Sequence, residues 1–181
     1  MSIIDKVVAA VTPPESKDTR LQARAKARAS AGKGDWLAMV LDHHEHIEAG
    51  FAAVKVAVDS ASKLRALKQL STLLTGHSIA EEAALYPALA KTDEKGHATK
   101  AYTEQWAAKL QMGLLEDLPP MSQEFLEKLK HIEGAVAHHV YEEESNWFLD
   151  LKTKLPAVDQ VKLTQRYQEQ FYRYMGDDAD I

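Results

Sequence analysis

One short pattern occurs twice in this chain. His77, Glu81, Glu82, Leu85 and Tyr86 recur as His139, Glu143, Glu144, Trp147 and Phe148, at the same offsets across ten positions. Four residues of helix advance roughly 6 Å and a little more than one turn, so each His and its Glu share a face. Two such faces turned toward each other make a cage of imidazoles and carboxylates in a helical core. Nitrogen and oxygen donors together suit iron, manganese or zinc, whereas magnesium and calcium prefer oxygen alone. Two central carboxylates can bridge two cations and offset their charge. A cage without cations buries unpaired carboxylates at a cost of several kcal/mol each, or raises their pKa values. That cost argues for metal, and the donor set suits a pair of iron ions.

The repeat extends backward along the chain. His44 lies 33 residues before His77, and Gln105 lies 34 before His139. His44 is followed by Ile47, Phe51 and Val54, and Gln105 by Ala108, Met112 and Leu115, at identical offsets. Each half thus supplies one position from a leading helix and His-x3-Glu from the next, with Gln105 where an imidazole is expected. His97, Glu104, Tyr102 or water are the candidates to complete the shell there, Gln105 itself being a poor ligand. His97 stands on the same face as Gln105 but roughly 12 Å away along the axis. His138 offers a competing register for the second motif, but the match of Trp147-Phe148 to Leu85-Tyr86 favours His139.

The elements that position these residues read as helices. Pro and Gly are sparse, period-two alternation is nearly absent, and Ala, Leu, Lys and Glu dominate. Pro13-Pro14 separates a short N-terminal helix, with the apolar stripe Ile3 to Val11, from a basic segment. Gly32-Lys33-Gly34 precedes Asp35, an expected N-cap. The first long helix is expected to run from there to about Val58, with a turn at Asp59 to Ser62. The second then continues to the neighbourhood of Pro87. A third is expected from near Asp93 to before Pro119-Pro120, and a fourth, capped by Ser122, to about Lys154. Pro156 opens a last helix that ends before the acidic tail Asp177, Asp178 and Asp180. Short turns between long helices imply an all-α, up-down four-helix bundle with extra helices at both ends. The divisions are an N-terminal extension over 1–34, the bundle over 35–154, and a C-terminal helix and acidic tail over 155–181. In that topology the second and fourth helices lie diagonally across the core, so their motifs face each other.

Composition narrows the chemistry. The absence of Cys excludes disulfides, thiolate zinc and iron–sulfur clusters. A net charge of −5 argues against nucleic acid as a general partner. No stretch approaches the ~20 apolar residues of a membrane span, and Lys6 interrupts the N-terminal stripe, so a cytoplasmic protein is expected. That stripe is expected to pack on the bundle or across a homodimer interface formed by the terminal helices.

On these motifs, over about residues 36 to 150, the chain resembles the hemerythrin family, specifically the bacterial hemerythrin-like HHE cation-binding domains. The resemblance implies that His44, His77, Glu81, His139 and Glu143 bind a non-haem di-iron centre, with Glu81 and Glu143 as bridges. Oxygen-carrying hemerythrins place two His one turn apart in the third helix, where this chain has Ala101 and Gln105. Fewer imidazoles leave more open positions and favour reactivity or sensing over reversible carriage. The ferritin-like alternative needs Glu-x-x-His on two helices, and the chain offers Glu94 to His97 alone. The expected ligand is a diatomic or peroxide. The functions in view are a binding protein for oxygen, nitric oxide or iron, a di-iron oxidase or peroxide-decomposing enzyme, and a structural metal site.

Residues beside the cage carry plainer expectations. His43, His46 and His131 read as ordinary helix or surface residues. Glu82 and Glu144 read as solvated groups or as partners that orient a His. Tyr86, Tyr141, Trp147 and Phe148 read as core or site-lining, with Tyr102 or Tyr141 as an alternative phenolate ligand. Arg20, Arg24 and Arg28 form a stripe that reads first as a solvated face, and next as a surface docked on acidic residues such as the tail.

Overall fold

A computed structural model describes residues 14–92 and 95–176. Its elements are α1 (Lys17–Ser30), α2 (Trp36–Val56), α3 (Ser60–Ala80), α4 (Tyr86–Lys91), α5 (Lys95–Glu116), α6 (Gln123–Glu142), α7 (Phe148–Lys154) and α8 (Ala157–Met175). A π turn, Glu81–Leu85, joins α3 to α4, and a second, Glu143–Trp147, joins α6 to α7. All elements among the described residues are helical, and the bundle is all-α. The stripe Ile3 to Val11, Glu94 and the acidic tail lie outside the described residues.

Local chemistry places the helix starts. Gly34 takes φ +69°, a left-handed conformation open to glycine, and turns the chain into α2. Asp35 then caps α2, accepting from Ala38 N at 2.9 Å, and Ser122 caps α6, accepting from Phe125 N at 3.1 Å. The turn expected over Asp59 to Ser62 is shorter than that, because Asp59 and Ser62 form a reciprocal capping box and the helix begins at Ser60.

The second long helix does not stop near Pro87. Proline lacks an N–H and crowds the preceding turn, but the π turn has already loosened that turn, and the helix continues to Lys91. The Glu82 carbonyl, left without a donor from residue 87, accepts from Tyr102 Oη at 2.7 Å instead.

Neighbouring helices pack as α2 with α3, α5 with α6, and α2 with α6. The π-bearing rods therefore stand diagonally, as the repeat requires. Buried Leu37, Leu41, Ile47, Phe51, Leu70, Phe125, Leu129 and Trp147 fill the core. The flanking helices complete it: α1 lies against the second π turn, and α8 against α3 and the first. A Cβ at Gly76 would meet Met175 Sδ at 2.8 Å, so a hydrogen at that position is what lets α8 approach α3 so closely.

The arginine stripe of α1 is not a solvated face. Arg24 is only 8% exposed and forks onto Glu48 at 2.9 and 3.0 Å, while Arg28 pairs with Asp42 and Glu45 at 2.6 and 2.8 Å. The acidic surface it docks on is α2, whose carboxylates recur one helical turn apart opposite the arginines.

Candidate metal centre

The two π turns begin at Glu81 and Glu143, so both repeats place a carboxylate at the same irregularity. In an α-helix a residue five positions on points well away from its partner, whereas a π turn brings positions i and i+5 together. Tyr86 and Phe148 are thereby turned inward. Both carboxylates and both aromatic rings are fully buried.

Three imidazoles converge on the carboxylates through Nε2. His44 Nε2 lies 3.3 Å from Glu143 Oε2 and 4.0 Å from Glu81 Oε1. His77 Nε2 lies 3.2 Å from Glu81 Oε2, and His139 Nε2 lies 3.3 Å from Glu143 Oε1. Donor atoms of His44, His77, Glu81 and Glu143 all fall within 4.8 Å of one another. The five residues singled out by the repeat thus share one buried cluster, and His139 joins it through Glu143.

Each imidazole is held from behind by Nδ1. His44 donates to Glu144 Oε1 at 2.8 Å, His139 donates to Glu104 Oε2 at 2.9 Å, and His77 Nδ1 shares the Tyr167 hydroxyl at 3.1 Å. Such outer partners fix the ring and raise its basicity as a ligand. Glu104 therefore stands behind His139 rather than inside the cage. Glu144 is itself held by Arg24 Nε at 2.8 Å, which brings α1 into the site, just as Tyr167 brings in α8.

The remaining candidates occupy other places. His97 stacks on Trp147 with ring centroids 5.6 Å apart. His138 faces Glu15 and Glu142 at 3.3 and 3.7 Å. Tyr102 is taken by the Glu82 carbonyl. Gln105, 5% exposed, does reach the cage, and its amide donates to Glu81 Oε2. His43 is not a surface residue: its Nδ1 lies 2.8 Å from Tyr167 Oη and its ring stacks on Phe171 at 4.0 Å. Burial, with the charge of His44 next, lowers its pKa to about 4.

The residues fit a metal. Among the described residues His44 Nε2, Glu81 Oε1, Glu143 Oε2 and Gln105 Oε1 are buried side-chain atoms with no hydrogen-bond partner, a costly arrangement unless a cation takes those lone pairs. Protonation otherwise supplies the positive charge. Burial opposes charge on His44, but Glu143 and Glu144 outweigh it and raise its pKa to about 9. Burial opposes charge on His139 too, and Glu143 and Glu104 push its pKa up. Burial and then the neighbouring Glu143 charge push Glu81 upward. Glu143 shifts the other way: the two imidazoles overcome its burial and hold it below the usual carboxylate range.

A cavity of about 300 Å³ leads to this cluster between α5 and α6. Ile47, Leu74, Ala108 and Val136 line its walls, and His77, Gln105 and His139 its inner end. Repeat periodicity revealed the five central residues. Arg24, Tyr167 and the inward hydroxyl of Tyr86 escaped it. Pro87, five residues beyond Glu82 in a helical pattern, was the one local signal of the π turn.

An all-α bundle closed around a buried histidine–carboxylate cluster is compatible with a cation site. The family profile "Hemerythrin HHE cation binding domain" matches residues 37–150, and the chain belongs to that family. It is also similar to a DNA nickase of Nostoc sp. (strain PCC 7120 / SAG 25.82 / UTEX 2576), at 26% identity over 114 residues, covering 63% of this chain. The matched part is 32% of that protein, so the chain spans about a third of the length of this curated relative. No solved structure matches the chain.

Proposed function

We propose that the protein is a cytoplasmic, non-haem di-iron protein that binds a small ligand, namely dioxygen, nitric oxide or peroxide, at a carboxylate-bridged site. The observation that carries this reading is the convergence of three imidazole Nε2 atoms on Glu81 and Glu143, each ring anchored through Nδ1. His44, His77 and His139 would hold the ions, with Glu81 and Glu143 between them. Iron so held would supply electrons and a Lewis-acidic binding position.

The chain's own residues set the terms of that chemistry. Glu143 turns Oε2 to His44 and Oε1 to His139, the posture of a bridge. Glu144, Glu104 and Tyr167 fix the imidazoles through Nδ1, which would leave Nε2 of each ring to a cation in the neutral form that ligation requires. The apolar walls of the cavity admit a small uncharged ligand while limiting water.

Gln105 favours a second reading, a peroxide-decomposing or oxidase activity, because one imidazole fewer leaves a position for substrate. The likeness to a DNA nickase supports scission of DNA less well: Arg24 and Arg28 already pair with carboxylates of α2, and the net charge is −5.

Exposing the ferrous protein to dioxygen, nitric oxide and peroxide in turn, while following visible absorption, tests the proposal. A stoichiometric change that reverses on removing the ligand supports binding, and repeated consumption of peroxide supports the enzyme. No change with any of the three means a metal that only holds the bundle, and overturns the reading.

A further inference from the structure

The two repeats differ at one chemically important position. Tyr86 aligns with Phe148, and the π turn before each drives both rings into the core. Phe148 packs edge-on against Trp36 at 5.6 Å. Tyr86 instead sets its hydroxyl inside the cage, 2.9 Å from Glu143 Oε1, 3.1 Å from His139 Nε2 and 3.2 Å from Glu81 Oε2. The extra oxygen lies in the half where Gln105 has taken the place of an imidazole.

The protonated hydroxyl hydrogen-bonds at these spacings, and they also match those of neighbours around one ion. Donors bound at about 2.0–2.2 Å and at right angles to each other stand roughly 3 Å apart. The His139–Glu143 contact, at 3.3 Å, belongs to the same set.

We infer that Tyr86 is a metal ligand, its phenolate oxygen joining His139, Glu81 and Glu143 at the cation position that the third long helix of the bundle leaves short of imidazole. The inference rests on the di-iron reading above. The phenol proton passes to solvent as the oxygen takes the cation, as it does for other acidic ligands. The two positions are then unequal, one with two imidazoles and one with an imidazole and a phenolate. The anionic oxygen favours the ferric state at the second.

Resonance Raman and visible spectra of the ferric protein, with iron counted in the same sample, test this. Phenolate-to-iron charge transfer and its enhanced tyrosine ring modes are expected in the wild type and in Y102F, and lost in Y86F while both irons remain. Two irons per chain without the tyrosinate signature would overturn the assignment of Tyr86 and leave the di-iron reading intact. A protein that takes up no iron overturns both. Should Y86F fail to fold, retention of the signature in Y102F and Y141F still assigns it to Tyr86, and its loss in either of them with both irons retained contradicts the assignment.

Discussion

Glu144 Oε1 accepts from His44 Nδ1 at 2.8 Å, and neither side chain is open to solvent. Its neighbour Glu143 faces the opposite nitrogen of the same ring, so consecutive carboxylates grip one imidazole from both sides. The arrangement depends on Arg24, which donates to Glu144 at 2.8 Å from a helix outside the four-helix core. Replacing Arg24 by Met strands a buried carboxylate and is expected to cost about 3 kcal/mol in denaturant unfolding. Glu144→Gln is expected to weaken metal binding by ~10–100-fold in competitive titration, since it alters the partner and not the ligand.

Tyr167 serves two rings at once, His43 Nδ1 at 2.8 Å and His77 Nδ1 at 3.1 Å. Tyr167→Phe keeps the packing of α8 but removes the shared hydroxyl. A stability loss of about 1 kcal/mol in thermal unfolding is expected, together with weaker metal uptake. Unchanged metal affinity would show that His77 is positioned by packing alone.

The choice between neighbouring histidines is open to direct measurement. His139 faces Glu143 and Tyr86, whereas His138 faces Glu15 and Glu142. His139→Ala is expected to lower metal content toward one ion per chain, and His138→Ala to leave it unchanged.

Much of this was legible in the chain itself, for reasons particular residues show. Asp35 and Ser122 announce helix starts because an N-cap acts within three residues. The doubled His-x3-Glu brought His77, Glu81, His139 and Glu143 into one cluster because helical spacing fixes their face, and the backward extension of the repeat added His44. The partners behind the rings were not legible. Arg24 meets Glu144 across 120 residues and Tyr167 meets His77 across 90, and nothing local pairs them. The π turns were legible only through Pro87 at the first, since a one-residue insertion in the helical register changes no residue type while rotating Tyr86 by about 100° around the axis.

Acid stability offers a test away from the cage. Burial opposes ionisation of Asp35, but Lys152 and the amides of Ala38 and Gly32 outweigh it and hold its pKa below the usual range. A depressed folded-state pKa gives stability that is present above the unfolded value, near 3.8, and is lost as pH falls through the folded value. Asp35→Asn keeps a capping oxygen while removing the charge. It is expected to be less stable than wild type at neutral pH, with the gap closing on acidification below about pH 4 in urea unfolding.

Glu81 and Glu143, with three anchored imidazoles, are expected to hold a pair of ions. Metal counting after anaerobic loading with ferrous iron and removal of loosely bound ions tests it most directly, in wild type and in the double variant Glu81→Ala, Glu143→Ala. Close to two ions per wild-type chain and essentially none in the double variant is the predicted result. Equal metal content in the two proteins, or none in the wild type, would contradict it.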